Sequence, residues 1–271
     1  MELIILCAMQ RSGTTVFQRT LEKKDYIISH EEIFHSKRYF PKKNNLIPFF
    51  NYANRYYQKY PDRIIKTNEN VKSLWSAYYH YLLNNSGDNK YLILDIKYNS
   101  WHNLNTIWHY PNDRPFLMRL LENVNPIIIH ITRQNVFEQY ISTLLARVTG
   151  IYHSKTSSSH YSKDLLTINP QKCEHYINNV LHLNNSFAKW LKPFNRSIKL
   201  DYENIFENNK MTDYTINKLA KYINIKAFDL DNAKVKKSKK DYNTIIKNTQ
   251  ELHEYFKNKE YYEFIAKTLA N

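Results

Sequence analysis

The chain has 271 residues and 32.7 kDa, with 42% hydrophobic residues, 39 Lys and Arg against 25 Asp and Glu, and a formal charge of +14. That length suits one large α/β domain with a full core, the two distant cysteines Cys7 and Cys173 argue against a disulfide framework and fit a reducing compartment, and no run reaches the roughly 18 apolar residues of a membrane helix. The basic balance favours an acidic partner, whether nucleotide, acidic glycan, nucleic acid or membrane surface, although the abundance of Lys, Asn, Tyr and Ile is also what an AT-rich coding sequence produces.

Leu3-Ile4-Ile5-Leu6 reads as a buried strand. No basic region precedes it and Arg11 ends it within a strand's length, so a secretion signal is not expected and a cytoplasmic location is. Cys7-Ala8-Met9-Gln10 leads into Arg11-Ser12-Gly13-Thr14-Thr15 and a helix expected from Thr14 to about Lys24. Strand, tight turn and helix start together set backbone N–H groups, hydroxyls and a positive helix end around one anion-sized space. The loop lacks the additional glycine and the Gly-Lys-Ser/Thr ending of an NTP-hydrolysing P-loop. Its cation is Arg11, placed before the turn, and arginine grips a tetrahedral anion through paired hydrogen bonds.

Tyr26 to Ser29 is expected to be a second strand ending at His30-Glu31-Glu32-Ile33-Phe34-His35, where an α/β fold places its chemistry. Residues 41 to 63, rich in Asn, Tyr, Phe and Pro, read as an irregular lid or insertion. A helix over about Asn68 to Leu83 carries Val71, Leu74, Trp75, Tyr78 and Leu82 at helical spacing and stops at the turn Asn84 to Asn89. Tyr91 to Lys97 is the next strand, Phe116 to Glu122 a short helix, and Pro126 to Ile131 the most hydrophobic strand. A long helix begins just after Arg133 and runs to about Val148, Ile198 to Glu203 adds a strand, and helices fill most of the rest, with a basic loop at Lys234 to Lys240. Continuous apolar strands alternating with helices imply a parallel sheet.

Arg133, past the fourth strand, and Ser142 meet one ligand only if Arg133 folds back toward the following helix. Taken together, the loop Arg11 to Thr15 and this second pair resemble the P-loop sulfotransferases that use 3′-phosphoadenosine 5′-phosphosulfate. The likeness extends to His30 to Phe34, Ile96 to Asn99, Ile129 to Val136, Leu200 to Ile205 and Val235 to Ser238, in the family's order across most of the chain. The bacterial carbohydrate-sulfating branch, including the trehalose sulfotransferase type, is the nearest fit. Two departures stand out: many relatives carry lysine at the position of Arg11, and many space the arginine and serine eight apart, so that Gln134 holds their more usual arginine site.

The resemblance implies a single α/β domain over residues 1–271, a P-loop-type parallel β-sheet flanked by helices on both faces with a helical C-terminal part. It implies 3′-phosphoadenosine 5′-phosphosulfate as co-substrate, adenosine 3′,5′-bisphosphate as product, no required metal, and a hydroxyl of a glycan or glycolipid as acceptor. A lipid-linked acceptor would add peripheral membrane contact; nucleic acid is not an expected partner. Arg11, Ser12, Gly13, Thr14 and Thr15 would hold the 5′-phosphosulfate, Arg133 and Ser142 the 3′-phosphate, and Lys236 and Ser238 a late basic loop over the nucleotide. Glu32 would be the general base, with His35 and Glu31 as rivals, and Lys97 could reach donor or acceptor from its strand end. A P-loop kinase would explain the loop alone, and a basic nucleic-acid-binding protein the charge and aromatics alone.

Overall fold

In the computed structural model, which describes residues 1–35, 46–110, 112–150, 165–208, 210–224 and 241–270, the opening apolar run is strand β1 (Glu2–Ala8), followed by helix α1 (Thr14–Leu21) and strand β2 (Ile27–Glu32). Helices α2 (Phe49–Lys59) and α3 (Asn68–Asn85), strand β3 (Tyr91–Lys97), helix α4 (Phe116–Glu122) and strand β4 (Ile127–Thr132) come next. Helices α5 (Val136–Thr149) and α6 (Pro170–Trp190) lead to strand β5 (Ser197–Asp201) and a hairpin of β6 (Phe206–Glu207) and β7 (Lys210–Met211). Helices α7 (Asp213–Ala220), α8 (Tyr242–Ile245), α9 (Thr249–Phe256) and α10 (Tyr262–Leu269) complete the described chain.

The sheet has the order β2-β3-β1-β4-β5 and is parallel and flanked by helices, as the continuous apolar strands require. Ile4 of β1 pairs with Ile93 on one side and Ile127 on the other, and every residue of β3 and β4 is buried. Because β1 lies between β3 and β4, the carboxyl ends of these three strands are neighbours, which is the edge where open α/β sheets bind ligands. The chain divides into two compact units. One comprises Met1–Thr132, Phe187–Leu200 and Thr215–Phe228 and carries the sheet; the other comprises Arg133–Ser186, Asp201–Tyr214 and Asp229–Asn271 and is mostly helical.

The expected lid over residues 41 to 63 differs from what is found over its described part. Phe49, Ala53 and Tyr56 lie at helical spacing and bury one face of α2, Pro48 caps its start, and Pro61 opens the 3₁₀ turn Pro61–Arg63. Phe49 packs on Phe34 and Tyr78 with ring centroids 4.8 and 5.2 Å apart. An Asn- and Tyr-rich composition masked this stripe because its buried members are mostly aromatic. Helix α1 also stops earlier than expected, at Leu21, where the chain turns through Lys24 N–H to the Leu21 carbonyl and Ile27 N–H to the Lys24 carbonyl.

Past β3, Tyr98 stacks on Phe187 at 4.1 Å and shares a 2.5 Å hydrogen bond with His130 Nε2, while the fully buried Trp101 donates Nε1–H to the Ile96 carbonyl at 3.2 Å. Cys7 and Cys173 are both free and buried. Among the described residues, no helix is long and apolar enough to cross a membrane. Trp101→Ala should cost about 3–5 kcal/mol, the usual scale for a large aromatic side chain lost from a core. Arg196→Met removes the half-exposed pair with Glu2 at 2.5 Å and should cost under about 1 kcal/mol. Urea unfolding of the two variants at pH 7 checks both, and equal losses would contradict this ranking.

Candidate active site

The loop after β1 is built on two left-handed residues, Arg11 at φ 64° and Gly13 at φ 77°. Glycine takes this conformation freely, whereas at Arg11 it costs on the order of 1–3 kcal/mol, a strain held where loops bind ligands. Gly13 starts α1 without a side-chain cap hydrogen bond, and its carbonyl accepts Phe17 N–H at 3.1 Å. Ser12 and Thr14 are buried in this turn.

The start of α1 and the end of β2 converge on Lys97 at the end of β3. Its side chain, only 4% exposed, donates from Nζ to the Thr14 hydroxyl and to Asp95 Oδ2 at 2.7 Å, and lies 3.6 Å from Glu32 Oε1. Asp95 and Lys97 are two apart on β3 and therefore share a face of the sheet. Glu32 reaches them through a bulge: the β2–β3 register runs His30 to Leu94 and then shifts, so that Glu32 and not Glu31 pairs with Asp95. One ammonium thus faces two carboxylates. Glu32, half-buried, has its pKa raised chiefly by burial; the Lys97 charge opposes that rise and the Asp95 charge adds to it.

Of the rivals to Glu32, His35 is near enough for its charge to lower the Glu32 pKa. Glu31 and His35 are exposed, and His35 contributes its backbone N–H to the Glu32 carbonyl at 3.1 Å. His30 is a core histidine near Tyr78 Oη (3.3 Å) and the Ile47 carbonyl (3.4 Å), and burial drives its pKa down to about 4, so it stays neutral. Gln10 donates to Asn99 Oδ1 at 2.8 Å, tying the β1 and β3 loops together. Gln18 of α1 donates to Ser29 of β2.

In the helical unit, Arg133 does fold back along α5. Its Nη2 is 2.8 Å from Glu138 Oε2 and its guanidinium lies 4.7 Å over the Tyr202 ring. Ser142 sits four residues beyond Glu138, one turn along the same face. Tyr242 donates to the other Glu138 oxygen at 2.9 Å. The start of α5 is occupied by protein groups: Glu203 accepts the N–H groups of Gln134 and Asn135, both at 3.1 Å, and Asn135 Oδ1 caps Glu138 N–H at 2.9 Å. Lys236 and Ser238 lie outside the described residues.

A family model described as Stf0 sulphotransferase matches residues 3–242. The chain belongs to the Stf0 sulphotransferase family. Among solved structures, an apo-form GTPase from Pyrococcus abyssi is similar at 13% identity over 74% of this chain and 91% of that one, with a TM-score of 0.29. No curated protein matches. The family makes this chain a transferase that moves a sulfuryl group, and it favours that reaction over the kinase and nucleic-acid alternatives.

Sequence reasoning on this sulfotransferase did not single out Asp95 or Glu138, and it named Tyr202 and Glu203 only within the resembling segment Leu200 to Ile205. Asp95 carried a usable signal, an acid inside the apolar strand Leu92-Ile93-Leu94 and two residues before Lys97. The contacts of Tyr202 and Glu203 with the start of α5 are distant in sequence. Because burial is the main cause of its shift, the Glu32 carboxyl should titrate above the ordinary value of 4.5 in a ¹³C NMR pH series. Lys97→Met should move that midpoint further up and Asp95→Asn should move it down. The stability this group contributes is full below about 4.5 and is lost as pH rises through its higher folded value. Glu32→Gln should therefore gain stability relative to the native protein between pH 4 and pH 8 in denaturant titrations.

Proposed function

We propose that this sulfotransferase takes its sulfuryl group from 3′-phosphoadenosine 5′-phosphosulfate and delivers it to a hydroxyl of a carbohydrate or glycolipid. The observation that carries this reading is the Thr14–Lys97–Glu32 convergence, which joins the anion-type loop to a half-buried carboxylate. In the reaction the bond from sulfur to the phosphate oxygen breaks with its electron pair left on phosphate, a bond forms from sulfur to the acceptor oxygen, and the acceptor proton must leave. Glu32 takes that proton, and its raised pKa makes the carboxylate a stronger base at neutral pH. Arg11 and the N–H groups of Ser12 to Thr15 stabilise charge on the leaving phosphate. Lys97 fixes the Thr14 hydroxyl and Glu32 relative to each other, so that the loop and the base keep one geometry.

The residues present suit the donor. The loop pairs a helix start without a side-chain cap with an arginine, a fitting host for a phosphosulfate. Arg133 and Ser142 are assigned to the 3′-phosphate on the family resemblance. A cytoplasmic site of action completes the reading.

Turnover should fall roughly 10²- to 10⁴-fold in Glu32→Gln with donor affinity kept, and about 10²- to 10³-fold in Arg11→Ala. Transfer of ³⁵S from labelled donor to a panel of glycans measures both, and full activity in a folded Glu32→Gln protein would remove Glu32 as the base. In calorimetry, adenosine 3′,5′-bisphosphate should bind some 30- to 10³-fold more tightly than adenosine 5′-phosphate, from one charged and one neutral hydrogen bond. Arg133→Ala should erase most of that preference. Equal affinities in the native protein would sink the 3′-phosphate assignment.

A further inference from the structure

A cleft of about 460 Å³ opens between α2 and α3 of the sheet-bearing unit. Two rows at i, i+4 spacing run side by side along α2 and just past its end: Tyr52, Tyr56 and Tyr60 in one, Arg55, Lys59 and Arg63 in the other. Tyr81 of α3 faces Tyr52 with ring centroids 5.2 Å apart and completes an aromatic lining. Arg63 donates to the Tyr56 hydroxyl at 2.8 Å and lies 4.7 Å over the Tyr60 ring, while Lys59 lies 5.3 Å over the same ring. These contacts hold two cations at the cleft by aromatic groups instead of by acids.

Among the described residues no acid lines the cleft, and Arg55, Lys59 and Arg63 have no carboxylate within salt-bridge distance. Asp62, adjacent to Arg63 in sequence, is exposed and is not part of the lining. The Asp62 charge acts on Arg63, and three cations against one neighbouring carboxylate leave the cleft a positive field that favours an anionic ligand. The volume lies in the range of small-molecule sites and suits a disaccharide-sized ligand, whereas single-stranded nucleic acid needs a groove that tracks several nucleotides. The helix that supplies both rows is anchored at the end of β2: Phe49 N–H donates to the Ile33 carbonyl at 3.1 Å, one residue past Glu32.

We infer that this cleft is an acceptor subsite for an anionic carbohydrate, a sugar whose rings lie against Tyr52, Tyr56 and Tyr81 and whose carboxylate, phosphate or sulfate group is bound by Arg55, Lys59 and Arg63. The inference rests on the sulfuryl-transfer reading for the word acceptor; the binding itself is tested without it.

Calorimetry at low salt with three probes decides it: a glucuronate-containing disaccharide, the neutral disaccharide maltose, and a thymidine pentanucleotide. The acidic disaccharide should bind at least about tenfold more tightly than maltose, the scale of one charge-assisted hydrogen bond. The double variant Arg55→Gln, Lys59→Gln should lose that preference while its affinity for adenosine 3′,5′-bisphosphate stays unchanged. Equal affinity for the two disaccharides, no detectable binding of either, a preference that survives the double variant, or tighter pentanucleotide binding that the double variant abolishes would each overturn the inference. A native protein that shows the sugar preference but fails to bind adenosine 3′,5′-bisphosphate would leave the cleft standing and sink the donor assignment instead.

Discussion

One buried ammonium organises the carboxyl end of the sheet. Lys97 is removed from water at the tip of β3, where an unpaired charge would be too costly to keep, and it is held there by Asp95 on its own strand face, Thr14 at the start of α1 and Glu32 at the end of β2. Each partner comes from a different segment, so satisfying the ammonium also fixes the first turn of α1 against the end of β2. Replacing Lys97 would leave Asp95 buried beside no cation, and the loop would lose its tie to the carboxylate.

The two helix starts that follow strands in the expected motif positions are used in opposite ways. At α5, Asn135 and Glu203 occupy the backbone donors, and the turn is closed by protein groups. At α1, the cap position is a left-handed glycine with no side chain to offer, preceded by a strained arginine. Of the two, only the α1 start has no side-chain cap hydrogen bond, and it is also the one joined to a lysine and a carboxylate. That difference is what the proposed donor site uses at α1, where a helix start without a side-chain cap favours an anion.

Much of this architecture was legible in the residues. The apolar runs of β1, β3 and β4 announced a parallel sheet because strands buried on both faces need no polar alternation, and the boundaries of α4 followed from Phe116 to Glu122 almost unchanged. Glu32 was named from the family resemblance of Glu32-Ile33-Phe34, but that Glu32 and not Glu31 pairs with Asp95 was hidden, because a bulge that shifts register by one residue leaves no mark in an Ile-Ile-Ser-His-Glu-Glu string. Helix α2 was hidden for a different reason: its buried stripe is built from Phe49, Ala53 and Tyr56 among exposed tyrosines, so hydrophobicity and exposure did not separate by residue type. Glu138, the ion-pair partner of Arg133, is only five residues on, but Tyr202 under the guanidinium and Tyr242 on Glu138 come from segments roughly 70 and 110 residues from Arg133, and contacts at such separations leave no local signature.

The two thiols have a consequence for handling the molecule. Cys7 sits in the middle of the sheet and Cys173 in the first turn of α6, and burial pushes the first well above the usual thiol range and the second up to about 12. Neither forms thiolate at neutral pH while the chain is folded, and thiolate is the species that alkylating reagents capture. Labelling by such a reagent therefore counts openings of the core instead of surface chemistry, and because the two sulfurs lie in different compact units, peptide-resolved labelling clocks the opening of each unit separately.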